Sequence, residues 1–181
     1  ITGRERKKKL ENSHTMLSAI VSYYVALELL HSDDEEMRQL VALMVMMAVR
    51  RHHGNIHNFR VELDYFYGEQ ELMLKQAKAI DYKAWQEILL LLDKAVSFSL
   101  KSVLPFDEER VVGWINQFYT DLPRLRRWLR KRYSVLQRDL ALKDYFQFLI
   151  LYSLLLDTDK NQAALREGID RGRQHIPEDL V

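Results

Sequence analysis

Two adjacent imidazoles, His52 and His53, stand in the segment RRHHGN at 50–55. Neutral imidazole is a ligand for divalent transition metals, and protonated imidazole can contact phosphate. Successive helical residues point about 100° apart, so the pair suits two different ions, or one ion and one phosphate, better than chelation of a single ion. The competing reading is a pair of helix-terminal cations answering the helix dipole. A second place is Asp157 and Asp159 in LYSLLLDTDK at 151–160, where an apolar helix is expected to end. Carboxylates at the rim of a rigid core are hard ligands with a fixed approach, although surface residues at a helix end would look the same. The third place is His14 in NSHTMLSAI, in the first turn of the first expected helix; a half-buried, hydrogen-bonded imidazole is its competing reading.

Together these places supply three imidazoles and at least one carboxylate, all expected at helix ends. No P-loop, G-x-S-x-G, dinucleotide fingerprint or C-x-x-C competes with them. The chain contains no cysteine, which excludes disulfides, a zinc-thiolate site and a thiol nucleophile. A helical His and Asp ligand set fits Mn, Fe, Co or Ni better than structural zinc.

A fourth feature is charge. Six of the nine residues from Arg124 to Arg132 are Lys or Arg. On a helix, Leu125, Trp128 and Leu129 hold the apolar side, while Arg124, Arg126, Arg127, Arg130, Lys131 and Arg132 wrap the rest. That is enough local charge to hold a phosphate backbone or an acidic partner; a solvated face is the alternative. Met44, Met46 and Met47 read as core filler.

The elements that must position these residues are helical. Met16, Leu17, Ile20, Val21, Tyr24 and Leu27 recur at three and four, with Ser13 as the expected N-cap. Ser32 and Glu35 have capping-box spacing and open a second helix to about His53, with Gly54 as its stop. Residues 55–68 (NIHNFRVELDYFYG) show no clear period and read as a loop. Further helices are expected over 69–79, over 82–104 with Pro105 as terminator, and over 107–121, with Pro123 opening the basic stretch. Asp139 to Leu156 is apolar enough to be buried on most sides.

Composition agrees. Gly 6 and Pro 3 in 181 residues leave too few turn-makers for a many-stranded sandwich or barrel, so the expected fold is an all-α bundle. A hydrophobic share of 48% can fill a core, and a formal charge of +1 excludes intrinsic disorder and a strongly basic overall field. The apolar runs Leu40 to Val49 and Ile88 to Leu92 fall short of the roughly 20 residues that span a bilayer, so no membrane and a cytoplasmic location are expected. Residues 1–166 read as one domain, and 167–181 (EGIDRGRQHIPEDLV) as a C-terminal tail or linker. The chain opens at Ile1 without Met, so it is expected to start inside a longer protein.

The segments NSHTMLSAI, RRHHGN and LYSLLLDTDK resemble, in order and approximate interval, motifs of the HD nuclease domain of the type I CRISPR helicase-nuclease family. In that family a His opens an H-S/T-x-x-S-A helix, a His-His-Gly motif ends another, and a late Asp lies in a segment like S-L-L-x-D-A-D-R/K. The resemblance spans residues 12–160. It implies an HD-domain-like helical bundle with His14, His52, His53 and Asp159 as ligands of two divalent ions, His52, His53 and Asp159 being the catalytic set. Asp159 is preferred to Asp157 because it matches the second Asp of the last motif. Arg51, Asn55 and Lys160 are weaker candidates for substrate contacts. The implied reaction is metal-dependent hydrolysis of single-stranded DNA in CRISPR interference. The implied partners are a helicase domain or subunit, which alone would use ATP, and an RNA-guided CRISPR surveillance complex.

One departure stands out. The family's His-Asp dipeptide does not occur: His14, His31, His52, His53, His57 and His175 are followed by Thr, Ser, His, Gly, Asn and Ile. The matching ligands would fall before Ile1, so the bundle is expected to be N-terminally incomplete and a poor nuclease alone. Two other readings share the sequence: an HD phosphohydrolase acting on nucleotides or cyclic nucleotides, and a metal-free helical module whose basic helix docks on a partner.

Overall fold

The computed structural model describes residues 3–52, 59–96, 99–100, 103–135 and 138–173, with the backbone alone for 3–14, 59–60, 135, 138–140, 159 and 161–173. The order of elements is α1 (Gly3–Leu29), α2 (Glu35–Arg51), α3 (Phe59–Glu62), a 3-10 helix η1 (Leu63–Phe66), α4 (Gln70–Ala77), α5 (Tyr82–Ala95), α6 (Glu108–Val135) and α7 (Arg138–Arg173). The fold is all-α: every regular element among the described residues is helical. No helix among them is long and apolar enough to cross a membrane.

The core forms around α2, which buries Leu40, Ala42, Leu43, Met44, Met46, Met47 and Ala48 on almost every side. The methionines are thus core filler. A short connection folds α1 back along α2, so the two helices run antiparallel and pack along their length. From α1 come Leu17, Ile20 and Tyr23; from η1 come Leu63 and Phe66. The third wall is α6, where Val111, Ile115, Phe118, Leu122, Leu125 and Leu129 are all buried at alternating spacings of four and three. Aromatic edges knit these walls. Phe118 meets Phe66 at 5.0 Å and Tyr23 at 6.1 Å between ring centroids, and Tyr24 stacks on Trp114 at 5.7 Å.

Several boundaries differ from the sequence reading. Helix α1 starts at Gly3, so Ser13 is an interior residue and not its cap. The cap of α2 is Asp34, whose carboxylate accepts from the Met37 amide at 3.0 Å; Ser32 accepts from the Asp34 amide and so shapes the approach. A carboxylate directly before the acids Glu35 and Glu36 outcompetes the hydroxyl because it also answers the dipole. Helix α2 ends at Arg51 with His52 as C-cap, and Gly54 lies outside the described residues.

The segment read as a loop carries α3 and η1, because its aromatic and apolar residues find α2 and α6 to pack on. Helix α5 stops at Ala95, well before Pro105, where Asp93 turns back to accept from the Leu100 amide at 2.5 Å. Pro123 lies inside α6 and does not open a new helix. An interior proline costs about 3 kcal/mol, but the buried seam continues through Leu122 and Leu125 on both sides of it. Finally, α7 passes Leu156 without ending and continues through residues 167–173 of the segment read as a tail. It is not buried on most sides. Asp144 and Phe148 are its buried residues among those described, whereas Leu142, Tyr145, Phe146, Ile150 and Leu154 are exposed.

Burial also sets the alkaline limit of the fold. It raises the Tyr23 phenol from its ordinary value of 10 to about 12, with Asp121 adding to the effect. Tyr24, Tyr119 and Tyr133 are raised as well, by burial first. Because the folded values lie above the unfolded ones, this stability is fully present below pH 10 and is lost as pH climbs towards 12. Helical circular dichroism should therefore collapse in one step in that window, together with the rise of phenolate absorbance. Phenolate appearing near pH 10 with helicity retained would show that these hydroxyls are not held by the core.

Candidate functional site

The best-defined polar site lies at the C-terminal end of α2. A helix end leaves carbonyl groups unsatisfied and concentrates negative dipole there, and α2 answers with Arg50 and Arg51 in its last turn. Both guanidinium groups converge on one carboxylate, Glu62, which is 2% exposed. Arg50 forms a short ion pair with it. Arg51 is bidentate, with Nε 3.0 Å from Oε1 and a terminal nitrogen 2.9 Å from the same oxygen. The two cations also lie over the Tyr65 ring, at 4.7 and 5.2 Å from its centroid. Burial pushes the Arg50 guanidinium below its ordinary value, and the Glu62 charge pulls the other way.

His52 follows as the helix cap. Its Nδ1 lies 2.5 Å from the Val49 carbonyl. A carbonyl only accepts, so Nδ1 carries a proton and donates it there. A metal-binding imidazole is ordinarily held in this way, with its other ring nitrogen donating to a backbone oxygen. The Arg51 carbonyl accepts from the Tyr152 hydroxyl of α7 at 3.1 Å, and Tyr152 stacks on Phe148 at 5.9 Å. The segment LYSLLLDTDK is thereby pinned to the end of RRHH.

Helix geometry places the remaining candidates. His14 stands as many residues before the end of α1 as Arg50 stands after the start of α2, so its backbone is level with Arg50 across the antiparallel pair. Asp159 lies seven positions beyond Tyr152, two turns along and within about 20° of the same helix face. Asp157 lies instead on the exposed apolar side, lining a shallow groove with Ile150 and Leu154. Both aspartates are interior to α7, contrary to the expected helix end. The described contacts join these segments through α2: Tyr152 of α7 reaches its last turn, and α1 packs along its length. His53 and Asn55 lie outside the described residues, and Lys160 is exposed. Among the described residues no group of three His, Asp or Glu side chains is placed to hold a metal; those of His14, His53 and Asp159 are not among them.

The basic stretch of α6 is organised differently from its sequence appearance. Leu125 and Leu129 are buried and Trp128 is half-buried, as the pattern requires. Most of the cations, however, have carboxylate partners. Arg126 and Arg130 both hold Asp64 of η1, Arg130 at 3.1 Å. Arg132 holds the buried Asp144 of α7 at 3.0 Å, and Arg124 lies 3.5 Å from Asp121. The Arg126 guanidinium also covers the Tyr67 ring at 4.6 Å. Arg127 and Lys131 are exposed without a carboxylate partner among the described residues.

Sequence reasoning missed Glu62, Asp64 and Asp144, the carboxylates that organise these cations. A buried acid has no local signature; the excess of adjacent arginines without nearby acids was the available signal. Arg51, read as a substrate contact, directs its guanidinium to Glu62, and its carbonyl faces Tyr152. Away from this end, an apolar cavity of about 440 Å³ opens between α1 and α5, lined by Leu17, Val21, Trp85, Leu89 and Phe106 among others. None of the site candidates lines it.

Glu62 generates a sharp expectation. Removing one partner of a buried ion cluster leaves uncompensated charge and costs about 3–5 kcal/mol. Glu62→Gln should lower unfolding free energy in denaturant by that amount, whereas Glu35→Gln, which breaks only the exposed pair with Arg38, should cost less than about 1 kcal/mol. Equal effects would remove Glu62 from its organising place. No family model, curated protein or solved structure matches this chain.

Proposed function

We propose that this chain is part of an HD-type, metal-dependent nuclease that hydrolyses phosphodiester bonds of single-stranded DNA in CRISPR interference. The observation that supports this reading is the hydrogen bond from the Tyr152 hydroxyl to the Arg51 carbonyl, which sets the segment of Asp159 beside that of His52, with α1, the helix of His14, packed along α2. His14, His52, His53 and Asp159 would hold two divalent ions, of the Mn, Fe, Co or Ni class. Such ions, when bound, supply an activated water and neutralise charge on the phosphoryl and leaving oxygens.

This chain's own contribution is orientation. The Val49 carbonyl orients the His52 ring, the Tyr152 hydroxyl fixes the spacing of α7 from α2, and Glu62 keeps two guanidinium groups away from the ligand nitrogens. The family pattern also has a bridging Asp and an upstream His, and these 181 residues hold no His-Asp dipeptide to supply them. An associated helicase, the user of ATP, and an RNA-guided surveillance complex would deliver the strand.

In protein extended upstream to include a His-Asp pair, His53→Ala and Asp159→Ala should each reduce Mn-dependent cleavage of single-stranded DNA by more than about a hundredfold. That exceeds the 10- to 100-fold effects typical of residues that merely support a ligand. Helicity should be unchanged. Wild-type rates in either variant would refute the ligand set, and faster hydrolysis of free nucleotides than of single-stranded DNA would move the reading to a nucleotide phosphohydrolase.

Binding of the strand is tested separately. The free cations of α6 are Arg127 and Lys131, so Arg127→Ala with Lys131→Ala should weaken DNA binding and flatten the slope of log K against log salt by about 1.4 units, for two contacts to a single strand. The fold should be intact, since neither side chain bridges two elements. An unchanged slope would reduce this part of α6 to a solvated face.

A further inference from the structure

The cavity between α1 and α5 has a volume of about 440 Å³. Folded interiors hold few voids larger than a water molecule, so a space of this size exceeds any ordinary packing defect. An apolar cavity of about 150 Å³ already stays dry and takes up benzene, and small-molecule sites run from about 300 to 1,000 Å³. Two sides of this cavity are fixed by the core: Leu17 of α1 and Phe106, which precedes α6, are both buried. The third side is α5, which contributes Trp85 and Leu89. None of the α5 side chains is buried; Leu89 is only partly covered, and Trp85 is 49% exposed with its ring 6.2 Å from that of Phe106. Helix α5 thus turns apolar side chains towards a space that the rest of the core does not fill.

The lining decides what fits there. Among the described residues along it none is charged, and its polar side chains are two hydroxyls one helical turn apart, Ser18 and Ser22. Ser18 is exposed. Ser22 donates its own proton to the Ala19 carbonyl at 2.8 Å, so its oxygen is left as an acceptor. An ionised ligand would lose its water in this cavity and meet no counter-charge to replace it. A hydrocarbon that ends in one neutral donor avoids that loss and gains from every apolar atom it buries. We propose that the cavity between α1 and α5 binds a small uncharged apolar molecule, its single hydroxyl or amide donor on Ser22 and its apolar body against Trp85, Leu89 and Phe106.

The experiment is calorimetric titration of the 181-residue chain with 1-decanol, decanoate and decylammonium. Decanol should bind one to one in the micromolar range, and the two ions at least about tenfold more weakly. Ser22→Ala keeps the space but removes the acceptor, so it should weaken decanol about three- to tenfold. Ser22→Leu fills the space, so it should abolish binding and raise the melting temperature. In the wild type, decanol should shift the methyl resonances of Leu17, Leu89 and Leu100 and leave those of Leu142 and Leu154, on the exposed side of α7, in place. This last measurement stands whether or not Ser22→Leu folds. No saturable binding, decanoate bound as tightly as decanol, shifts confined to α7, or full affinity in a folded Ser22→Leu would each overturn the site, and full affinity in Ser22→Ala would overturn the place of the donor. None of these readouts depends on nuclease activity.

Discussion

Glu62 is 2% exposed and meets two guanidinium groups that belong to consecutive residues of another helix. A buried carboxylate is tolerated only where cations and hydrogen bonds replace the water it has lost, and two adjacent arginines at a helix end would repel each other without an acid between them. Each side therefore requires the other. The consequence is positional: α3 and η1, too short to be stable alone, are fastened to the end of α2. Asp64, two residues on and so nearly opposite on the helical turn, reaches Arg126 and Arg130 of α6. Between the two acids lies Leu63, fully buried, and beyond them Phe66, whose ring meets Phe118 of α6. A two-acid segment thus joins α2 to α6 by charge on its flanks and apolar contact in its middle.

The same arrangement orders the neighbouring end of α2. With its guanidinium drawn to Glu62, Arg51 presents its carbonyl to Tyr152, and the last turn of α2 acquires an external donor. His52 turns Nδ1 onto Val49. The orientation of the His52 ring thus results from satisfying a helix terminus.

Much of this was legible in the residues. Helical class followed from the scarcity of Gly and Pro, and the apolar side of the basic part of α6 from Leu125, Trp128 and Leu129. What escaped was whatever depends on a partner distant in sequence. Nothing local distinguishes Glu62 from a solvated acid in NIHNFRVELDYFYG, and without its two arginines that segment has no reason to be ordered. Pro123 reads as a helix start by any local rule, and only the continuity of Leu122, Leu125 and Leu129 against the core overrides it. Net charge misled in a related way. The cations between Arg124 and Arg132 look like a surface for an anionic strand, yet Asp64, Asp144 and Asp121 answer four of them internally.

Helix α7 carries the most general point. Its apolar content demands burial, and sequence periodicity states that demand without saying which molecule meets it. On the inner side the answer lies within the chain: Phe148 and Tyr152 lie against α2, and Asp144 is met by Arg132 and by Tyr133 at 3.3 Å. On the outer side the row through Ile150 finds nothing among the described residues. A fully buried isoleucine is worth roughly 1.5–3 kcal/mol over an exposed one, so a row of such side chains left in water forfeits as much as many domains gain by folding. The periodicity that sets Phe146, Ile150 and Leu154 in one row is therefore no guide to burial within the described residues, and only the neighbours of each turn of α7 decide it.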